Sequence, residues 1–118
     1  MSLSVRPVVG RRAKITALGT FVPPQVLTNQ DLEKMVETTN EWILERTGIR
    51  ERHILEKGKG VSDICVQAAK KALAARGVGP EAVEAIIVGT VTPDMMFPST
   101  SALLADQLGA KDAAATIP

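Results

Sequence analysis

Strand-like and helix-like segments alternate along this sequence, which predicts an α/β fold: a parallel or mixed sheet covered by helices. Two observations carry that expectation. AIIVGT at Ala85–Thr90 is an unbroken apolar run of strand length, as expected of a strand buried on both faces. Around it lie segments of helical period with start and stop signals. The longest follows Ser62, and there Ile64, Cys65, Ala68, Ala72 and Leu73 fall on one face while Lys70, Lys71 and Arg76 lie off it.

Taken in order, residues 1–12 read as a disordered lead-in, and 13–118 as a single partial domain. AKITALG (Ala13–Gly19) alternates as a short strand does. FVPPQVLTNQ is expected to be irregular, because Pro23 and Pro24 remove donors and fix the backbone. Thr28 with Asp31 three residues on resembles a capping box, so a helix is expected from Asn29 to about Val36. Thr38 with Glu41 repeats the signal and predicts a second short helix through Trp42, Leu44 and Arg46, ended by Gly48. IRERHIL reads as an edge strand and EKGKG as a mobile turn. Ser62 is expected to cap the long helix and Gly77 to close it; Pro80 starts a turn. VTPDMMFP is a loop, after which Ser99 or Thr100 caps a last helix ended by Gly109. KDAAATIP looks like the start of a strand.

Aromatic residues make up only 3% of the chain, so the core must be built from Ala, Val, Leu and Ile, with Trp42, Phe21 and Phe97 as its few large anchors. The net charge of +1 argues against a chain devoted to nucleic acid or to an anionic membrane. Arg6, Arg11, Arg12 and Lys14 form a short basic arm with no acid among them, and such an arm is usually a frayed terminus. No apolar run approaches the length that spans a bilayer. A single Cys cannot make an internal disulfide, which suits a reducing cytoplasm.

Few residues offer chemistry. Cys65 is the only thiol. The first turn of a helix could activate it, but its place on the apolar stripe favours a small buried hydrophobe. His53 lacks companions at ligand spacing, so no metal site is expected and a structural role is favoured. Arg50 and Arg52 beside it would guard an exposed strand edge. Trp42 and Arg46, four apart on a helix, share a face. They could hold an aromatic ring by stacking and cation–π attraction. Equally, Trp42 could anchor the core with the Arg46 stem packed over it. GVGP at 77–80 is a connection between helices and not a phosphate loop.

ITALGTFVPPQVLTNQDLEKMVETTNEWILERTGIRERHI, together with AIIVGTVTPDMMFPST, resembles the opening of the β-ketoacyl-acyl carrier protein synthase III family. The resemblance covers about residues 13–115, and its EW-x-x-x-RTGI-x-x-R block is long and specific. It implies the N-terminal portion of a thiolase-like fold. It also implies transfer of an acetyl or short acyl group from coenzyme A to a cysteine, followed by condensation with malonyl-acyl carrier protein. Thr38, Trp42 and Arg46 match the positions that hold the adenine end of coenzyme A. Phe97 matches a residue that reaches into the acyl pocket of the partner protomer of a homodimer. Met95 and Met96 beside it would reshape that pocket or simply pack.

Acyl-coenzyme A is then a substrate, and no separate cofactor is expected. Cys65 and His53 match no catalytic position. The family's catalytic Cys, His and Asn lie further along than these residues, so no catalytic residue is expected here and this chain alone should not condense substrates. The alternative is a non-catalytic remnant that keeps the dimerising surface around Phe97. Nucleic-acid binding through the arginines is disfavoured, because acidic residues interleave with them.

Overall fold

The computed structural model describes Gly10 and residues 13–115. The lead-in expected over 1–12, with Arg6, Arg11 and Arg12 of the basic arm, lies outside the described residues apart from Gly10. Among the described residues, regular structure begins with strand β1 (Gln25–Thr28) and helix α1 (Asn29–Glu33). The Thr28 hydroxyl accepts from the amide of Asp31 at 3.1 Å, and the Asp31 carboxylate accepts from the amide of Thr28 at 3.0 Å. This is the expected capping box. The helix is shorter than its signal suggested, ending at Glu33, whose carboxylate accepts from the amide of Asn40 at 2.6 Å.

Helix α2 (Asn40–Thr47) is capped by Thr39 and not by Thr38. Both threonines could serve, but Thr39 has the extended backbone of a cap and its hydroxyl accepts from the amide of Trp42 at 3.2 Å. Gly48 ends the helix at φ 68°, a left-handed conformation that glycine adopts without penalty.

β2 (Glu51–Ile54) pairs antiparallel with β1, Gln25 opposite Ile54 and Thr28 opposite Glu51. β1 falls inside the segment expected to be irregular. Pro23 and Pro24 precede the ladder and do not interrupt it, so they leave its hydrogen bonds intact.

Helix α3 (Val61–Arg76) starts one residue before Ser62, with Gly60 at its cap position. Two carboxylates take up the free amides there. Asp63 accepts from Gly60 at 2.8 Å, and Asp94, from a distant loop, accepts from Ser62 at 3.0 and 3.2 Å. A short 3-10 turn at Pro80–Ala82 leads to β3 (Ala85–Ile86). Ser99 caps α4 (Thr100–Leu108) through the amide of Ala102 at 3.2 Å. β4 (Ala114–Ala115) then pairs parallel to β3.

Among the described residues the strands thus form two separate two-stranded ladders, one antiparallel and one parallel. A core of Val66, Ile86, Leu104 and Ala110 lies between α3, α4 and the second ladder. α3 and α4 are also tied by Gln107 Nε2 donating to the buried Ser62 hydroxyl at 3.1 Å.

Three further expectations need correction. Ala13–Gly19 forms no strand; it has no ladder partner among the described residues, and Ile15 is 84% and Leu18 78% exposed. Gly19 approaches the α3 backbone at Ala68 and Ala72 so closely that a Cβ there would overlap it. The expected strand Ala85–Thr90 is cut to two residues. Ile86 is buried but Ile87 is 81% exposed, so the run is not covered on both faces. Nor do the aromatic residues anchor the core, since Trp42 and Phe97 are exposed and Phe21 only half-buried. Among the described residues, no helix is long and apolar enough to cross a membrane.

Candidate functional site

α2 is short and exposes most of its surface; only Ile43 is buried. Trp42, which packing would have placed inside, is 54% exposed, so its reading as a core anchor fails. The Arg46 guanidinium lies 5.4 Å from the centre of the Trp42 ring, as their four-residue spacing requires. Thr38 and Trp42 line one depression of about 240 Å³, with Glu37 and Thr39 completing its wall. Trp42 therefore stands between Thr38, ahead of the helix, and Arg46 in its last turn, touching the one through the depression and the other through its ring. The arrangement offers an indole face, a cation and hydroxyls, a chemistry suited to a flat ring carrying negative charge nearby.

Phe97 sits elsewhere, on the loop between β3 and α4, and takes no part in that depression. It is 88% exposed beside a fully exposed Met96. The loop is held at Asp94, whose carboxylate sits on α3 and whose amide donates to the buried Thr100 hydroxyl at 3.3 Å. A larger cavity of about 430 Å³ lies between the first ladder and α3, lined by Phe21, Ile54 and Ile64 among others. None of Thr38, Trp42, Arg46 and Phe97 touches it.

Cys65 is not an activated nucleophile here. Because α3 begins at Val61, the thiol lies beyond the first turn, where free amides could have lowered its pKa. Burial pushes that pKa up, and the negative charge of Asp94 adds to the rise. His53 is scaffold: its Nδ1 pairs with the carbonyl of Pro23 at 2.6 Å, joining β2 to the segment ahead of β1. Arg52 does not guard an edge. It is half-buried and donates to the side chain of Asn29 at 2.6 Å. Among the described residues, no cluster of His, Cys, Asp or Glu could hold a metal ion.

Sequence reasoning missed Asn29, fully buried between α1, α2 and β2. A single Asn after a capping threonine carries no signal of long-range bonds. The expectation that Thr38, Trp42 and Arg46 hold adenine rests on the resemblance alone; spacing showed only that Trp42 and Arg46 share a face.

No family model matches the chain. The β-ketoacyl-[acyl-carrier-protein] synthase III of Koribacter versatilis (strain Ellin345) is 67% identical over 103 residues, covering 87% of this chain and 31% of that protein. The crystal structure of 3-oxoacyl-[acyl-carrier-protein] synthase III from Aquifex aeolicus VF5 superposes with a TM-score of 0.79 at 45% identity, over 84% of this chain and 32% of that one. The Thermus thermophilus synthase III structure gives 0.81 at 40% identity, over 88% and 32%. The chain spans about 31% of the length of the curated relatives it matches. By sequence and by its thiolase-like α/β fold, the chain belongs to the β-ketoacyl-[acyl-carrier-protein] synthase III family.

Proposed function

We propose that this chain supplies the adenine-binding end of a coenzyme A site in a cytoplasmic condensing enzyme. That enzyme passes an acetyl or short acyl group from coenzyme A to a cysteine, then joins it to malonyl-acyl carrier protein in the first condensation of fatty-acid synthesis. Acyl-coenzyme A and acyl carrier protein are its substrates and a second copy its partner, with Phe97 entering the partner's acyl pocket. The nucleophile comes from outside these residues, because Cys65 is half-buried, lies within α3 past its first turn, and has its pKa pushed up by burial and by Asp94.

The observation that carries the reading is the exposed Trp42–Arg46 pair at 5.4 Å, with Thr38 beside Trp42 in the same depression. Stacking and cation–π attraction each contribute about 1 kcal/mol, so removing both partners should weaken coenzyme A roughly thirtyfold. Trp42 is the only tryptophan, which makes its fluorescence a site-specific reporter. Titration with coenzyme A, and with its 3′-phosphorylated adenosine diphosphate half, should quench it saturably; phosphopantetheine should not. No response at millimolar coenzyme A refutes the adenine site.

The second reading, a non-catalytic interaction module, draws support from Val91, Met96 and Phe97, three large apolar side chains almost wholly exposed around one loop. It requires self-association without turnover. Sedimentation that finds only monomer, unchanged by Phe97→Ser, refutes it.

A further inference from the structure

α2 carries the Trp42–Arg46 pair, yet little apolar burial holds it in place. It is eight residues long and buries only Ile43. A helix of that length is marginal by itself and takes its position from whatever it is fastened to. The Glu33 carboxylate holds the Asn40 amide at one end, but the fastening that reaches both ends is Asn29. Its side chain is 0% exposed, and its amide nitrogen donates twice, to Asn40 Oδ1 and to the Ile49 carbonyl, each at 2.9 Å. Asn40 is the first residue of α2 and Ile49 lies just past its end, so one buried side chain grips both ends of the helix. The other side of the same amide, Oδ1, accepts from Arg52 Nη1 at 2.6 Å, and the Asn29 backbone donates to the Arg50 carbonyl at 3.3 Å.

The polarity of this cluster leaves no freedom. A guanidinium only donates and a backbone carbonyl only accepts, so the carboxamide must turn its oxygen to Arg52 and its nitrogen to Ile49. Asp would keep the acceptor and lose both donors. Leu would lose everything, and Gln would overreach by one methylene in a space with no room. Buried networks satisfied to this degree fix one arrangement and make any other costly.

We infer that Asn29 is a positioning residue: through Asn40 and Ile49 it sets the pose of α2, and with it the placement of Trp42 and Arg46 for the ring they hold. The donor half of the amide does this work; the acceptor half, bonded to Arg52, ties β2. For its ligand the inference rests on the coenzyme A reading, but the pose itself does not.

The test uses the full chain in two arms, with melting curves to establish that each variant is folded. Asn29→Asp removes the donors and keeps the acceptor, Arg52→Gln weakens only the acceptor side, and Asn40→Ala breaks one end of the grip while leaving Asn29 in place. In the first arm, without ligand, Asn29→Asp and Asn40→Ala should shift the Trp42 indole resonance and raise its quenching by acrylamide, with Leu104 methyl resonances unmoved. In the second, both should weaken coenzyme A about tenfold while phosphopantetheine binding stays within about twofold, and Arg52→Gln should leave both ligands nearly unchanged. If wild-type chain ignores coenzyme A, the adenine reading falls and the first arm alone decides. An indole signal unmoved in folded Asn40→Ala, or an equal loss for all three variants, overturns the inference. Should Asn29→Asp fail to fold, Asn40→Ala against Arg52→Gln still decides it.

Discussion

Substituting Gly19→Ala adds one methyl group where the chain lies hardest against α3. Gly19 has no positive φ, so alanine meets no backbone penalty there. The added carbon would overlap the carbonyl of Ala68, lie 2.6 Å from the amide nitrogen of Ala72 and 3.0 Å from its Cβ. Two of those three are helix backbone, which no rotamer change can move aside. Forcing the methyl in costs about 1–3 kcal/mol by overpacking. The alternative is for Gly19–Phe21 to lift off α3. That loses the bond from Lys71 Nζ to the Thr20 carbonyl at 2.9 Å and the contact of Lys71 with the Phe21 ring at 5.6 Å. Both are exposed, and together they contribute about 1.5 kcal/mol.

Detachment is open as a route, so it limits the cost to about 1.5 kcal/mol. Alanine also restricts the unfolded chain, returning about 0.5 kcal/mol. A net loss of about 1 kcal/mol, over an unfolding entropy near 0.2 kcal/mol/K for a chain of this size, lowers the melting temperature by about 4–5 °C. Circular dichroism during heating and urea titration reads that loss, and a shift of the Phe21 ring resonances reports the detachment. A variant that melts like wild type with its Phe21 signals unmoved would show that this segment does not rest on α3.

Asp31→Asn should flatten the acid limb of the stability curve. The hydroxyl and amide of Thr28 hold the Asp31 carboxyl below its ordinary pKa, so its contribution is complete above about pH 4, the unfolded value, and is lost as pH falls through the lower folded one. Urea midpoints between pH 6 and pH 2 check this; equal slopes for wild type and variant refute it. Asp94→Ala strips the α3 amino end of a carboxylate and frees the loop that carries Phe97, at a cost of about 2 kcal/mol read by urea denaturation. The same variant should speed alkylation of Cys65 by iodoacetamide, since part of the upward push on its pKa comes from Asp94. An unchanged urea midpoint would mean that water replaces the carboxylate without loss.

What could be read in the sequence was what short-range chemistry decides. Thr28 with Asp31, Gly48, Gly77 and the Ser99–Gly109 pair marked helix ends, because caps are made within a turn of chain. Neighbouring candidates blurred the exact residue: Thr38 beside Thr39, Ser62 beside Gly60. Strands were harder, because a strand exists only where a partner takes its hydrogen bonds. Gln25–Thr28 looked unpromising after two prolines yet finds Glu51–Ile54, and Ala13–Gly19 looked right and finds nothing among the described residues. Ala85–Thr90 is a strand only where Ala114–Ala115 lies opposite. For the site, the shared face of Trp42 and Arg46 was legible, while its exposure followed from what Ile43 alone buries. Asn29 could not be found, since its partners stand 11 to 23 residues away.

Gly58, Lys59 and Gly60 ahead of α3 have the makings of a phosphate cradle: flexible backbone, a cation and the free amides of a long helix. That seat is taken. The Asp94 carboxylate occupies it, tethered by the chain's own loop, and a tethered group competes at an effective concentration in the millimolar range or above. A free or nucleotide phosphate arriving there must evict a resident anion of like charge. The amino end of α3 is thus satisfied from within the chain, and the loop that supplies Asp94 is the one bearing Phe97.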